Sequence, residues 1–275
     1  MLPDKDTREL IYSLAAVVAI IAFFIYNFCK LNRKKENMSM LSRYIQLKLN
    51  GKEKQNFITR VVGSISFLAV VETIICVVFT YSPAALNFAF GKWVGTGANY
   101  FGLLFFLPLF MLVMSVSLWL DPLKQCDISV PGLPLALVFT KIACFTSGCC
   151  NGCWWPGGPY NYRNRREEFP IQLVEAAVAF LLFVFLLWYQ KKAKKGTVLP
   201  VYTILYGATR FITEFWRGQE LVWNNLRLYH FICMVSVIVG IVELVVALKY
   251  GERISRYFEN TFYFSQKRYD KNFKR

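Results

Sequence analysis

Val198 to Arg217 reads VLPVYTILYGATRFITEFWR. Its apolar part, Val198–Trp216, is about long enough to cross a bilayer core, which takes roughly 20 apolar residues. Yet it carries Arg210 and Glu214 in its last third. A charge at such a depth costs at least ~2.5 kcal/mol on the mildest scale and faces a protein interior or a watery cavity. On a helix, Tyr206, Arg210, Glu214 and Arg217 form one narrow polar stripe. The opposite face holds Ile204, Leu205, Ala208, Phe211, Ile212, Phe215 and Trp216, which can meet lipid or other helices. The plainer reading is an Arg210–Glu214 pair that only fixes this helix in its bundle. The sharper reading, a substrate site, follows from the cost of intramembrane ion pairs.

Outward from this stretch, the chain is 275 residues long and 56% hydrophobic, with apolar runs too long for a soluble domain. We read an all-α, polytopic integral membrane protein of about seven transmembrane helices. The spans fall near 9–31, 61–81, 98–120, 131–151, 170–190, 197–217 and 227–249. The whole chain reads as a single membrane domain with a basic tail at about 250–275. The first span has no basic n-region and reads as a retained helix rather than a signal peptide.

The net charge of +15 is placed asymmetrically. If the spans alternate, one side of the membrane holds 22 basic residues, among them Lys191, Lys192, Lys194, Lys195 and the tail, and the other holds 8. The positive-inside rule then puts the N-terminus outside and the C-terminus in the cytoplasm of a plasma membrane. The basic balance thus reads as topology and attraction to anionic membrane lipids, with no nucleic-acid partner.

In this orientation the unusual polar residues share one depth. Arg210, Glu214 and Arg217 lie in the outer half of span six. In span four, Lys141, Cys144, Gly148 and Gly152 recur on one helical face, with the glycines at the outer end. Pro170, Gln172 and Glu175 open span five, Asn99 and Tyr100 open span three, and the only histidine, His230, opens span seven. Such convergence argues for one site open to the outer leaflet. Each residue also has a plainer role. Glu175 suits a helix start, Pro170 a first turn, and His230 an interfacial hydrogen bond. Glu72 is a stray acid in span two that can pair with Lys141. Trp93, Trp154, Trp155 and Trp223 suit an interfacial belt.

Residues 145–153 read FTSGCCNGC. Cys150 and Cys153 form a CxxC pair, but no second pair has zinc spacing, so no metal is expected. On an oxidising face a disulfide is open to these thiols. The small residues also permit close helix packing or backbone approach to a ligand.

At these residues the chain resembles the bacterial phosphatidylglycerol–prolipoprotein diacylglyceryl transferase family, as a divergent member with a GCC-type signature. The family's Y-G-x-x-R-x-x-x-E-F-x-R matches Tyr206 to Arg217 at every fixed position. Its H-P-x-Q-L-Y-E is similar to Phe169 to Glu175. Its span-four signature, in the variant G-C-F-x-x-G-C-C-Y-G, is similar to Ala143 to Gly152. The family's span-four arginine is Lys141 here, its asparagine Cys144 and its glutamate Cys149. Its span-three histidine has no match, and Tyr100 is nearest.

The resemblance implies transfer of a diacylglyceryl group from phosphatidylglycerol to the lipobox cysteine of a prolipoprotein signal peptide, with glycerol phosphate leaving. It implies no soluble cofactor. Arg210, Glu214 and Lys141 are the expected catalytic residues. Arg217, Tyr206, Gln172, Glu175, Cys144, Cys149, Gly148, Gly152, Tyr100 and His230 are expected to bind substrate. Two alternatives stand beside it: a lipid-binding or transport paralogue on the same scaffold, and lipid-group transfer to another acceptor.

Overall fold

A computed structural model describes residues 5–32, 100–117, 121–218 and 226–273. The expected second span with Glu72, and Trp93, Asn99 and Trp223, lie outside the described residues. The described chain is helical apart from one small hairpin. Its elements are α1 (Lys5–Asn32), α2 (Tyr100–Ser117), α3 (Pro122–Ser129), α4 (Gly132–Ser147), β1 (Tyr160–Asn161), β2 (Arg166–Glu167), α5 (Ile171–Tyr189), α6 (Val198–Glu214) and α7 (Leu228–Phe273). Among the described residues three stretches are long and apolar enough to cross a membrane: Pro122–Ser147, Ile171–Tyr189 and Leu228–Thr261. The protein is therefore a mostly helical membrane protein.

The chain divides into two compact units. One holds the described residues up to 23 with 130–193 and 198–244; the other holds the described residues of 24–129 with 194–197 and 245–273. In the first unit, α5 packs against both α4 and α6. Its sequence explains this. Ile171, Gln172, Glu175, Ala176, Ala179, Leu182 and Leu186 recur at helical spacing and are buried. Phe180, Leu181, Val184 and Trp188 on the other side are exposed, as lipid-facing residues would be. Helix α6 meets α7 where side chains are small. A Cβ on Gly207 would stand 3.1 Å from the Cys233 carbonyl, and one on Gly240 would stand 2.7 Å from Ile204.

Helix α4 stops earlier than the sequence suggests. Gly148 takes the left-handed conformation (φ 69°), and the Cys149 N–H reaches the Cys144 carbonyl at 3.1 Å, closing the helix as a Schellman turn. Gly152 is therefore not on the helical face that holds Lys141 and Cys144. It forms an antiparallel bridge with Arg217 instead. Cys153 N–H donates to the Trp216 carbonyl (2.8 Å), and Phe169 N–H donates to the Cys153 carbonyl (2.9 Å). The cysteine turn is thereby laced between the end of α6 and the start of α5. The β1–β2 hairpin covers it. There the buried Glu168 accepts from Asn161 (2.8 Å), Asn164 (2.7 Å) and Arg166 (2.7 Å).

In the second unit a polar clasp fixes the turn after residue 193. Lys195 donates to Ser255 (2.9 Å), Ser255 donates to Asp121, and Gly196 N–H donates to Asp127 (2.6 Å). The basic tail is helical, since α7 runs through Phe273.

Candidate active site

The site is built around one carboxylate, Glu175, on the first turns of α5. Its side chain accepts from Lys141 Nζ on α4 (2.7 Å) and Arg210 Nη1 on α6 (2.8 Å). Arg217, just past α6, donates to both carboxylate oxygens through Nη2 (2.8 and 2.6 Å) and through Nε to Oε1 (3.2 Å). Three cations from two helices and a turn thus share one acid. Arg210 reaches the other way through Nη2 to Glu214 Oε2 at 2.6 Å, and Arg217 Nε lies 3.9 Å from the same oxygen. Glu175, Arg210, Glu214 and Arg217 are all buried. A buried ion cluster is tolerated only when each charge is matched and hydrogen-bonded. Here the three cations exceed the two acids by one positive charge.

The expected Arg210–Glu214 pair is present, but it is the lesser half of the network. Lys141 pairs with Glu175 on span five, and Glu72 lies outside the described residues. Arg217 joins the stripe although α6 ends at Glu214, because its N–H turns back onto the Glu214 carbonyl (3.1 Å).

Beside the cluster is a small cavity of about 20 Å³. Lys141, Glu175, Arg210 and Tyr206 make its polar end, and Leu137, Val178, Ala179 and Leu182 make its apolar wall. A molecule with an anionic head and a hydrocarbon body matches such a lining.

The other expected residues occupy distinct places. Gln172 donates to the Cys149 carbonyl (2.8 Å), tying α5 to the cysteine turn. Cys144, Cys149 and Cys150 have their sulfur atoms within 4.8 Å of one another. Gly148 and Gly152 serve close approach: an added Cβ would meet Asn161 Oδ1 at 2.8 Å and the Phe169 carbonyl at 2.0 Å, respectively. His230 is buried between Phe211 and Phe215. Its Nδ1 accepts from the Arg227 N–H (2.9 Å), while its own N–H donates to the Arg227 carbonyl (3.0 Å). That reciprocal pair is a helix-capping arrangement, with His230 in the position a Glu or Gln usually holds. It assigns the histidine to the start of α7. Tyr100 opens α2 in the second unit.

Two residues were not singled out from sequence. Arg227 donates through Nη1 to the Glu214 carbonyl (2.7 Å), and the Tyr229 ring lies 5.9 Å from the Arg210 guanidinium. Arg227 counted only as a topology charge. It lies between the end of α6 and the start of α7, so no periodicity of one helix links it to Glu214.

The family model described as prolipoprotein diacylglyceryl transferase matches residues 10–246. A phosphatidylglycerol–prolipoprotein diacylglyceryl transferase of Clostridium tetani is 37% identical over 131 residues, covering 44% of this chain and 52% of the relative. A second, from Clostridium perfringens, is 35% identical over 112 residues (35% and 41%), and one from Chlorobaculum tepidum is 29% identical over 153 residues (48% and 52%). The chain thus spans about half the length of these curated relatives, or less. The family match extends across both the charged cluster and the cysteine turn, and the chain belongs to the prolipoprotein diacylglyceryl transferase family.

Proposed function

We propose that this protein transfers the diacylglyceryl group of phosphatidylglycerol to the lipobox cysteine thiol of a prolipoprotein signal peptide at the outer leaflet of a bacterial plasma membrane. The observation that carries this reading is the convergence of Lys141, Arg210 and Arg217 on one buried carboxylate, beside a cavity with an apolar wall. In the reaction the thiol sulfur bonds to the terminal glyceryl carbon. The bond from that carbon to the phosphate oxygen breaks, and glycerol phosphate leaves with the electron pair. The thiol proton passes to a base or to the departing phosphate.

The cluster suits this chemistry. Arginine forks recognise phosphate through paired donors, and fixed cations stabilise charge as it develops on the leaving group. A phosphate entering the cavity competes with Glu175 for donors already in place. Glu175 shares its charge among three cations, so it orients them and is a poor base. Glu214 is the better candidate for the thiol proton, because its Oε1 receives no hydrogen bond among the described residues. The relatives' names support phosphatidylglycerol and prolipoprotein as the substrates.

Seven spans, with the N-terminus outside and the C-terminus cytoplasmic, belong to the same proposal and rest on hydropathy and the basic asymmetry.

The test is turnover by purified protein in phosphatidylglycerol-containing vesicles with a lipobox peptide. Thioether-linked diacylglyceryl peptide, identified by mass spectrometry, supports the proposal. Lipid binding without product supports the paralogue alternative, and product only with another acceptor supports transfer elsewhere. Either outcome overturns the proposal.

A further inference from the structure

We propose that Cys144, Cys149 and Cys150 together form a three-thiolate site for a thiophilic metal ion, with Zn²⁺ the ion that fits the sulfur spacing. The three sulfur atoms lie within 4.8 Å of one another, and those of Cys144 and Cys150 are 3.8 Å apart. Zinc binds thiolate at about 2.3 Å with tetrahedral angles, which sets sulfur pairs about 3.8 Å apart. One pair already has that separation, and the others need to close by at most about 1 Å to match it.

The backbone brings the thiols together. Cys144 lies in the last turn of α4 on its buried side, and the Schellman turn folds Cys149 back onto it. Cys150 is held at φ 59°, a left-handed conformation that residues other than glycine rarely adopt. The Ser147 hydroxyl lies 3.2 Å from the Cys149 sulfur and donates to it, the kind of outer partner that steadies a thiolate ligand. Binding releases three thiol protons and leaves the metal centre with one net negative charge. The positive charges of Lys141 and Arg217 act on Cys150 and offset it.

This departs from the expectation of no metal, which rested on the CxxC spacing of Cys150 and Cys153. The folded turn instead joins Cys150 to Cys144 across a helix end, and Cys153 is not one of the three. Three protein ligands leave the fourth tetrahedral position to an outside ligand.

The test uses the full chain purified in detergent under reducing conditions, loaded with Zn²⁺ or Co²⁺ and desalted. About one ion per chain is expected by elemental analysis, with thiolate-to-cobalt charge-transfer absorption for the Co²⁺ form. C144S, C149S and C150S should each lower metal retention about tenfold or more, and C153S should retain the ion. If a serine variant fails to fold, the cobalt spectrum of the parent protein still decides. Absence of the charge-transfer band overturns the site, as does retention in all three variants. A Cys144–Cys150 disulfide in protein purified without reductant also overturns it. None of these readouts depends on transferase turnover, so the metal site and the proposed reaction can fail independently.

Discussion

Arg210 has two acids to satisfy, and the two contacts have different consequences. Through Nη1 it shares Glu175 with Lys141 and Arg217; through Nη2 it neutralises the fully buried Glu214. Arg210→Ala removes a phosphate donor and leaves Glu214 without its closest cation. Activity should fall about 10²–10³-fold, the usual effect of losing one preorganised electrostatic group. Breaking a buried pair also costs ~3–5 kcal/mol, so detergent stability must be measured beside turnover. Glu214→Gln keeps the shape and removes only charge. Turnover should fall while phosphatidylglycerol binding, measured by equilibrium partition, survives. Lys141→Arg supplies the bidentate fork that a lysine lacks, and should preserve or raise turnover in the same peptide assay. Parental rates in all three variants would show that the cluster is not the reaction centre.

The elements hold this site through backbone contacts at their ends. The end of α6, the cysteine turn and the start of α5 are laced by the bonds of Cys153 and Phe169 and by the Gly152–Arg217 bridge. Gly152 sits so close to the Phe169 carbonyl that a methyl group has no room. Gly152→Ala should push the turn away from α5, carrying Arg217 off Glu175. We expect a loss of stability near or beyond ~3 kcal/mol, the upper end of ordinary substitutions. It should be read as a lowered Tm in detergent together with faster proteolysis of the β1–β2 hairpin. A variant with parental Tm and hairpin protection would show that the lacing does not hold the site.

At the scale of the molecule, the proposed orientation rests on charge. The hairpin carries Arg163, Arg165 and Arg166 at one end of α5, and Lys191, Lys192, Lys194 and Lys195 follow its other end. With 19 residues, α5 is about 28 Å long at ~1.5 Å per residue, enough to separate these groups across a hydrocarbon core. Single-cysteine labelling in cells should reach residues 163–168 from outside and residues 191–195 only after permeabilisation. The opposite pattern would invert the protein and move the site to the inner leaflet.

Apolar runs and the span-six motif are local properties, and the sequence alone determined the helical membrane character and the family that depend on them. A run of 19 apolar residues at Ile171–Tyr189 can satisfy its backbone in lipid only as a helix. Arg210, Glu214 and Arg217 declared themselves because charge is costly at that depth. What the sequence did not determine is which partners those charges choose. Gly152 read as helical, and the fold placed it in a turn bridged to Arg217. Glu175 read as a helix-start carboxylate, and the fold kept it in the first turns of α5 and added three cations. The Gly148 cap ended α4 early, and the packing of α5 between α4 and α6 brought three cations onto Glu175. The Arg227 backbone claimed His230. Residues separated by 34, 35 and 42 positions along the chain meet at that one carboxylate. No periodicity of a single helix encodes such a meeting, because it is set by how the helices pack.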